Sequence, residues 1–87
     1  MKAVSLPKQF SAIGRVAGGF FFLCYGPDLL TLRSDLNKAL SALKVPKEIE
    51  ISDVYSRLRP CMIVKGKGEE LGKLKMYLAT HERYIDR

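Results

Sequence analysis

Few residues in this chain are equipped for chemistry, and they stand apart. His81 is the only histidine, Cys24 and Cys61 are the only cysteines, and Glu48 and Glu50 are a carboxylate pair at strand spacing. A general base needs a group to orient it, and a nucleophile needs a base within reach. His81 falls on the apolar stripe of a helical pattern, where no second base or metal ligand accompanies it. Neither cysteine has a second Cys or a His at ligand spacing, so both read as reduced, buried small hydrophobes and not as a metal cluster or a disulfide framework. Glu48 and Glu50 suit the solvated side of a strand. The glycines of "KGKGEEL" at 65–71 hint at a phosphate loop, yet Glu69 and Glu70 would repel phosphate from that helix end. These residues nominate no catalytic group, metal or cofactor, and they favour a binding module over an enzyme.

Binding is the more informative direction. Fifteen Lys and Arg against nine Asp and Glu give a net charge of +6, which attracts nucleic acid, acidic proteins or anionic lipid, and which also serves solubility. Phe20, Phe21 and Phe22 stand side by side in "GGFFFLCYG". The apolar run from Val16 is broken by Gly26-Pro27-Asp28, too soon for a membrane span, and no small-residue cleavage site follows it, so a cytoplasmic protein is expected.

The elements that must position these residues follow from periodicity. Residues 1–12 alternate poorly and contain Pro7, which reads as an N-terminal arm or edge strand preceding a single domain over 13–87. Residues 20–25 are a strand, with Gly18-Gly19 as a turn or bulge before it. Asp28 caps a helix whose stripe is Leu29, Leu32, Leu36, Ala39, Leu40 and Leu43, and Pro46 ends it. "KEIEISDVY" alternates as a half-buried strand, with Ile49 and Ile51 inward. In "RLRPCMIVKGK", Leu58, Met62 and Val64 share one parity, and Arg57, Arg59, Ile63, Lys65 and Lys67 share the other with Cys61. A second helix over "GEELGKLKMYLATH" has Leu71, Leu74, Leu78 and His81 inward, and "RYID" is a short last strand. The order strand, helix, strand, strand, helix, strand is that of an α+β, ferredoxin-like split βαβ fold (βαββαβ), an antiparallel sheet with two helices on one face.

Such a sheet leaves its other face open, and alternation within 20–25 puts two aromatics there whichever parity holds. Taking Phe21, Leu23 and Tyr25 toward the helices places Phe20 and Phe22 on the open face, beside Arg57, Arg59, Lys65 and Lys67 of the neighbouring strand. Aromatics flanked by cations suit stacked bases of single-stranded nucleic acid. A basic module that binds nucleic acid on this face is therefore the leading expectation. A homo-oligomer interface or an acidic protein docked on the same face is the first alternative, a divergent anion-binding protein is another, and the arm could also fold across the face.

Two resemblances bear on this. Residues 18–25, Gly-Gly-Phe-Phe-Phe-Leu-Cys-Tyr, resemble the aromatic octamer of RNA-recognition-motif proteins, although only 17 residues precede it here, too few for the elements that family places before it. "GRVAGGFFF" at 14–22 is similar to the anion-cradling loop of acylphosphatases, and "MIVKGKGEELGKLKMYL" at 62–78 resembles that family's third strand and second helix. This likeness implies a ferredoxin-like fold and a candidate anion loop at Gly14, Arg15, Gly18 and Gly19. Phe22 occupies the place of that family's essential Arg, and no Asn lies on the second strand, so acylphosphatase activity is not expected.

Overall fold

A computed structural model describes residues 7–44, 48–55 and 58–86. Its elements run β1 (Gln9–Phe10), β2 (Gly14–Val16), β3 (Gly19–Tyr25), α1 (Leu29–Leu43), β4 (Glu50–Asp53), β5 (Cys61–Gly66), α2 (Gly68–His81) and β6 (Ile85–Asp86). Six strands form one mixed sheet in the order β4, β5, β3, β1, β6, with β2 paired to β3 beside that path. The chain is therefore α+β, with both helices packed on one face of the sheet.

The helices form where their stripes predict. Asp28 caps α1, its carboxylate accepting from the Thr31 amide at 2.6 Å and the Thr31 hydroxyl at 3.0 Å, which satisfies a donor the helix itself cannot. Lys44 then takes a left-handed conformation and ends the helix; Pro46, the expected stop, lies outside the described residues. Glu69 and Glu70 sit in the first turn of α2, where the helix dipole favours them. Leu32, Leu36 and Ala39 of α1 and Leu71, Leu74 and Leu78 of α2 are fully buried against Phe22, Cys24, Met62 and Val64 of the sheet. Each large side chain so buried contributes roughly 1.5 to 3 kcal/mol of transfer free energy.

Four expectations need correction. The sheet is mixed, not antiparallel, because β1 inserts between β3 and β6, antiparallel to the first and parallel to the second. Phe10 explains the insertion: it is 3% exposed, edge-on to Phe22 at 6.2 Å and stacked on Tyr84 at 6.0 Å, so its ring completes the core. The parity within β3 is the reverse of that taken from the sequence, since Phe22 and Cys24 point to the helices. Leu58 lies outside β5 and is fully exposed. His81 is exposed and stacks on the Tyr77 ring at 4.2 Å, in place of pointing inward.

Beneath β1 lies one buried polar cluster. Asp35 of α1 is 5% exposed, and its Oδ2 accepts from Lys8 Nζ and from the Tyr84 hydroxyl, each at 3.1 Å. The pair satisfies a carboxylate that would otherwise be costly to bury, and it ties the two ends of the described chain to α1.

Candidate interaction face of the sheet

Register defines the face turned away from the helices. Phe21 of β3 lies opposite Lys65 of β5, which lies opposite Glu50 of β4. Leu23 faces Ile63, and Ile63 faces Ser52. Tyr25 pairs with Cys61 on one side and Gln9 on the other, and Gln9 with Ile85. Side chains directly opposite one another share a face, so Phe21, Leu23, Tyr25 and Ile63 make a half-buried apolar patch on the two central strands. Ile85 extends it at 53% exposure.

Local chemistry shapes the patch. The Phe21 ring covers Gly14, where a Cβ atom would come within 2.7 Å of it. A glycine under an aromatic ring lets the ring lie down on the strand. Ser11 holds Leu23 from the other side, its amide donating to the Leu23 carbonyl at 2.8 Å and its hydroxyl accepting from the Leu23 amide at 2.9 Å. The described part of the N-terminal arm thus lies in the plane of the sheet and leaves the patch uncovered.

The residues expected to form the site divide between places. Phe22 is fully buried in the core. Phe20 packs at the edge of that core, with the Arg15 guanidinium 6.0 Å from its ring. Arg59 and Lys65 do share a face with aromatics, but these are Tyr25 and Phe21. Arg59 donates to Gln9 Oε1 at 3.1 Å and to the Pro7 carbonyl at 2.7 Å, and its guanidinium lies 5.5 Å from the Tyr25 ring centroid. It is engaged in holding the N-terminal strand. Lys65 is exposed, between Phe21 and Glu50. Lys67 is exposed at the N-cap of α2, and Arg57 lies outside the described residues.

The candidate anion loop is a β-hairpin. Gly14, Arg15 and Val16 pair with Phe21, Phe20 and Gly19, and Gly18 makes the turn at φ +83°, a conformation that favours glycine. The cleft at its tip is lined by Glu48 and Glu50 together with Lys65.

Sequence reasoning put Ile63 on this face but turned Phe21, Leu23 and Tyr25 toward the helices. Both parities of β3 hold two aromatics, and only the pairing of Cys24 with Met62 and of Phe22 with Val64, whose own side is clear from β5, decides between them.

Reactive groups elsewhere are restrained. Burial, with the neighbouring Cys61 and Asp35, raises the Cys24 thiol far above its ordinary value. Cys24 therefore stays protonated and a poor nucleophile at neutral pH. Among the described residues, no cluster of three His, Cys, Asp or Glu could hold a metal ion, and no helix is long and apolar enough to cross a membrane. Comparison with protein-family models, curated proteins and solved structures finds no match to this chain.

Proposed function

We propose that this protein is a small non-catalytic interaction module that pairs with a second copy through the open face of its sheet. The carrying observation is the apolar patch of Phe21, Leu23, Tyr25 and Ile63 at the centre of a face that neither helix covers. Left in water, side chains of this kind forgo burial and promote association. From Gly19 onward we read the element order as a ferredoxin-like split βαβ unit, to which β1 adds a strand between the first and last strands of the unit.

The polar rim favours a copy of the chain as the occupant. Lys65 and Glu50 are cross-strand neighbours, so both signs of charge lie side by side on one flank. A two-fold axis near Leu23 and Ile63 would set Lys65 of one copy against the carboxylates of the other, the self-complementary arrangement an isologous contact requires. Five strands at about 4.8 Å and seven residues at about 3.3 Å give at most about 550 Å² in projection. A standard interface of about 800 Å² per partner therefore takes the whole face and its rim.

Single-stranded nucleic acid on the same face is a second reading, favoured by the two pairings of a cation with an aromatic, Arg59 with Tyr25 and Lys65 with Phe21. Glu48 and Glu50 beside Lys65 weaken it, as they weaken anion binding at the hairpin tip.

Light scattering or sedimentation at several concentrations, with and without a mixed pool of single-stranded RNA and DNA at physiological salt, separates these readings. The expected result is a dimer indifferent to oligonucleotide, returned to monomer by Phe21→Ser with unchanged circular dichroism. A monomer at every concentration would overturn the proposal, and a monomer that takes up oligonucleotide mass would install the second reading.

A further inference from the structure

The helical side of the molecule has a surface of its own. Two clefts share Tyr77 in their linings, one along α1 and the other between Leu43 and the second half of α2, and we take them together as one groove. Its apolar lining is Leu30, Leu43, Met76 and Tyr77, and Leu30 and Met76 are 79% and 71% exposed. Neither exposure is required by the fold, because the inward stripes of both helices are complete without these residues.

Charge around the groove is one-sided. Arg33, Lys38 and Lys73 line it, and no carboxylate does among the described residues. Arg33 is paired with Asp53 at 2.9 Å and Lys73 with Glu69 at 3.9 Å, but both acids lie outside the lining, and Lys38 has no ion pair among the described residues. Ser34, Ser41 and Ala42 keep the α1 side of the groove low, so that a partner backbone can approach closely.

We infer that this groove docks an acidic amphipathic helix of a partner protein. The apolar lining takes the partner's hydrophobic stripe, as in other helix-in-groove contacts, and the cationic rim pairs with its acids. The 15 residues of α1 span about 22 Å, room for about four turns of a partner helix. A phosphate backbone would use the cations but leave Leu30, Leu43 and Met76 unused. The one aromatic at the centre, Tyr77, is already stacked on His81. A second copy brings the same positive rim and is repelled.

The test is an amide-resolved NMR titration with a designed 20-residue helical peptide, with Leu at i, i+3, i+4 and i+7 spacing and Glu elsewhere. Its Lys-for-Glu counterpart and a short oligothymidylate serve as comparisons. The acidic peptide is expected to shift resonances of α1 and α2 and leave the sheet face unmoved. Met76→Glu and Lys38→Glu, both at exposed positions, should each weaken it about tenfold, through loss of apolar contact and of charge pairing respectively. Affinity should also fall as salt rises from about 50 to about 300 mM. The inference fails if the basic peptide binds as tightly, if the shifts fall on the sheet, or if neither variant changes the affinity. It fails equally if oligothymidylate takes the groove more tightly, or if the protein alone shows concentration-dependent shifts there. None of these results depends on whether the sheet face forms a dimer.

Discussion

Replacing Phe21 and Phe22 separately by alanine tests the orientation of β3, on which the open face rests. Phe22 is fully buried and its ring meets Phe10 edge-on. Truncating it leaves a cavity that the surrounding core fills only in part, at a cost of about 3 to 5 kcal/mol. A domain of 87 residues has a total stability of about 4 to 13 kcal/mol, so this one change removes a large share of it. At about 4 to 8 °C per kcal/mol for a domain of this size, the midpoint of thermal unfolding should fall by at least about 12 °C. Phe21 is half-buried over Gly14, and its truncation should cost the monomer about 1 kcal/mol. If Phe21 also sits in a dimer contact, its loss lowers apparent stability by mass action as well, and that part depends on concentration. Urea unfolding of both variants at two protein concentrations, read by circular dichroism, separates the contributions. Phe22→Ala should show a large loss at both concentrations, and Phe21→Ala a small loss with a part that vanishes on dilution. A Phe21 variant as damaged as the Phe22 variant at the lower concentration would refute the orientation, and with it the assignment of the face.

Two further outcomes follow from the buried polar groups. Burial raises Cys24 and Tyr84 above their ordinary values, so both keep their protons in the folded state at pH values where the unfolded chain loses them. Their contribution is full below the unfolded thiol value of about 8.5. Stability should then fall by up to about 1.4 kcal/mol per pH unit, and more steeply above about 10 as Tyr84 joins, and urea midpoints at pH 7.5, 9.5 and 10.5 check this; Cys24→Ala should remove the first part of the decline. Asp35→Ala leaves Lys8 and Tyr84 without their shared acceptor and should cost about 2 to 3 kcal/mol in urea unfolding at pH 7, while Asp35→Asn, which keeps an acceptor for the Tyr84 hydroxyl, should recover part of it. A loss under about 0.5 kcal/mol for the alanine variant would mean that the cluster contributes little to the fold.

Wherever an element has one apolar stripe and a definite stop, the sequence was legible. The leucines of α1 and α2, the cap at Asp28 and the inward Ile49 and Ile51 all lie as periodicity requires, because each helix or strand has only one face it can bury. Residues 20–25 were not legible in this way, since Phe, Leu, Cys and Tyr are apolar on both sides and a one-residue choice inverts the whole strand. The deciding partners are Met62 and Val64 of β5, whose own side is clear, and the Phe10 ring that completes the core against Phe22 comes from the N-terminal arm, distant in sequence. Arg59 illustrates the other limit. Its parity set it beside Phe20 and Phe22, whereas its guanidinium lies over Tyr25 and is engaged by Gln9 and Pro7, which only tertiary structure shows.

Where the positive charge lies bears on which partner suits which face. On the sheet face, Lys65 stands next to Glu50, with Glu48 close by, and Arg59 is tied to the N-terminal strand. A polyanion would find little there that is not already balanced, whereas a copy of the same surface would find both signs in matching places. Along the helices, Arg33 and Lys73 are paired with acids outside the apolar groove, and Lys38 alone of the Lys and Arg residues lining it has no ion pair among the described residues. The net +6 is thus no measure of nucleic-acid affinity by itself, because charge attracts a partner only where it is concentrated and left unmatched. Dimerisation through the sheet would leave both helical grooves exposed on the outside, so each copy could still engage an acidic helix. Two such sites on one dimer would bind a partner carrying two acidic helices far more tightly than one carrying a single helix, with no added contact at either groove.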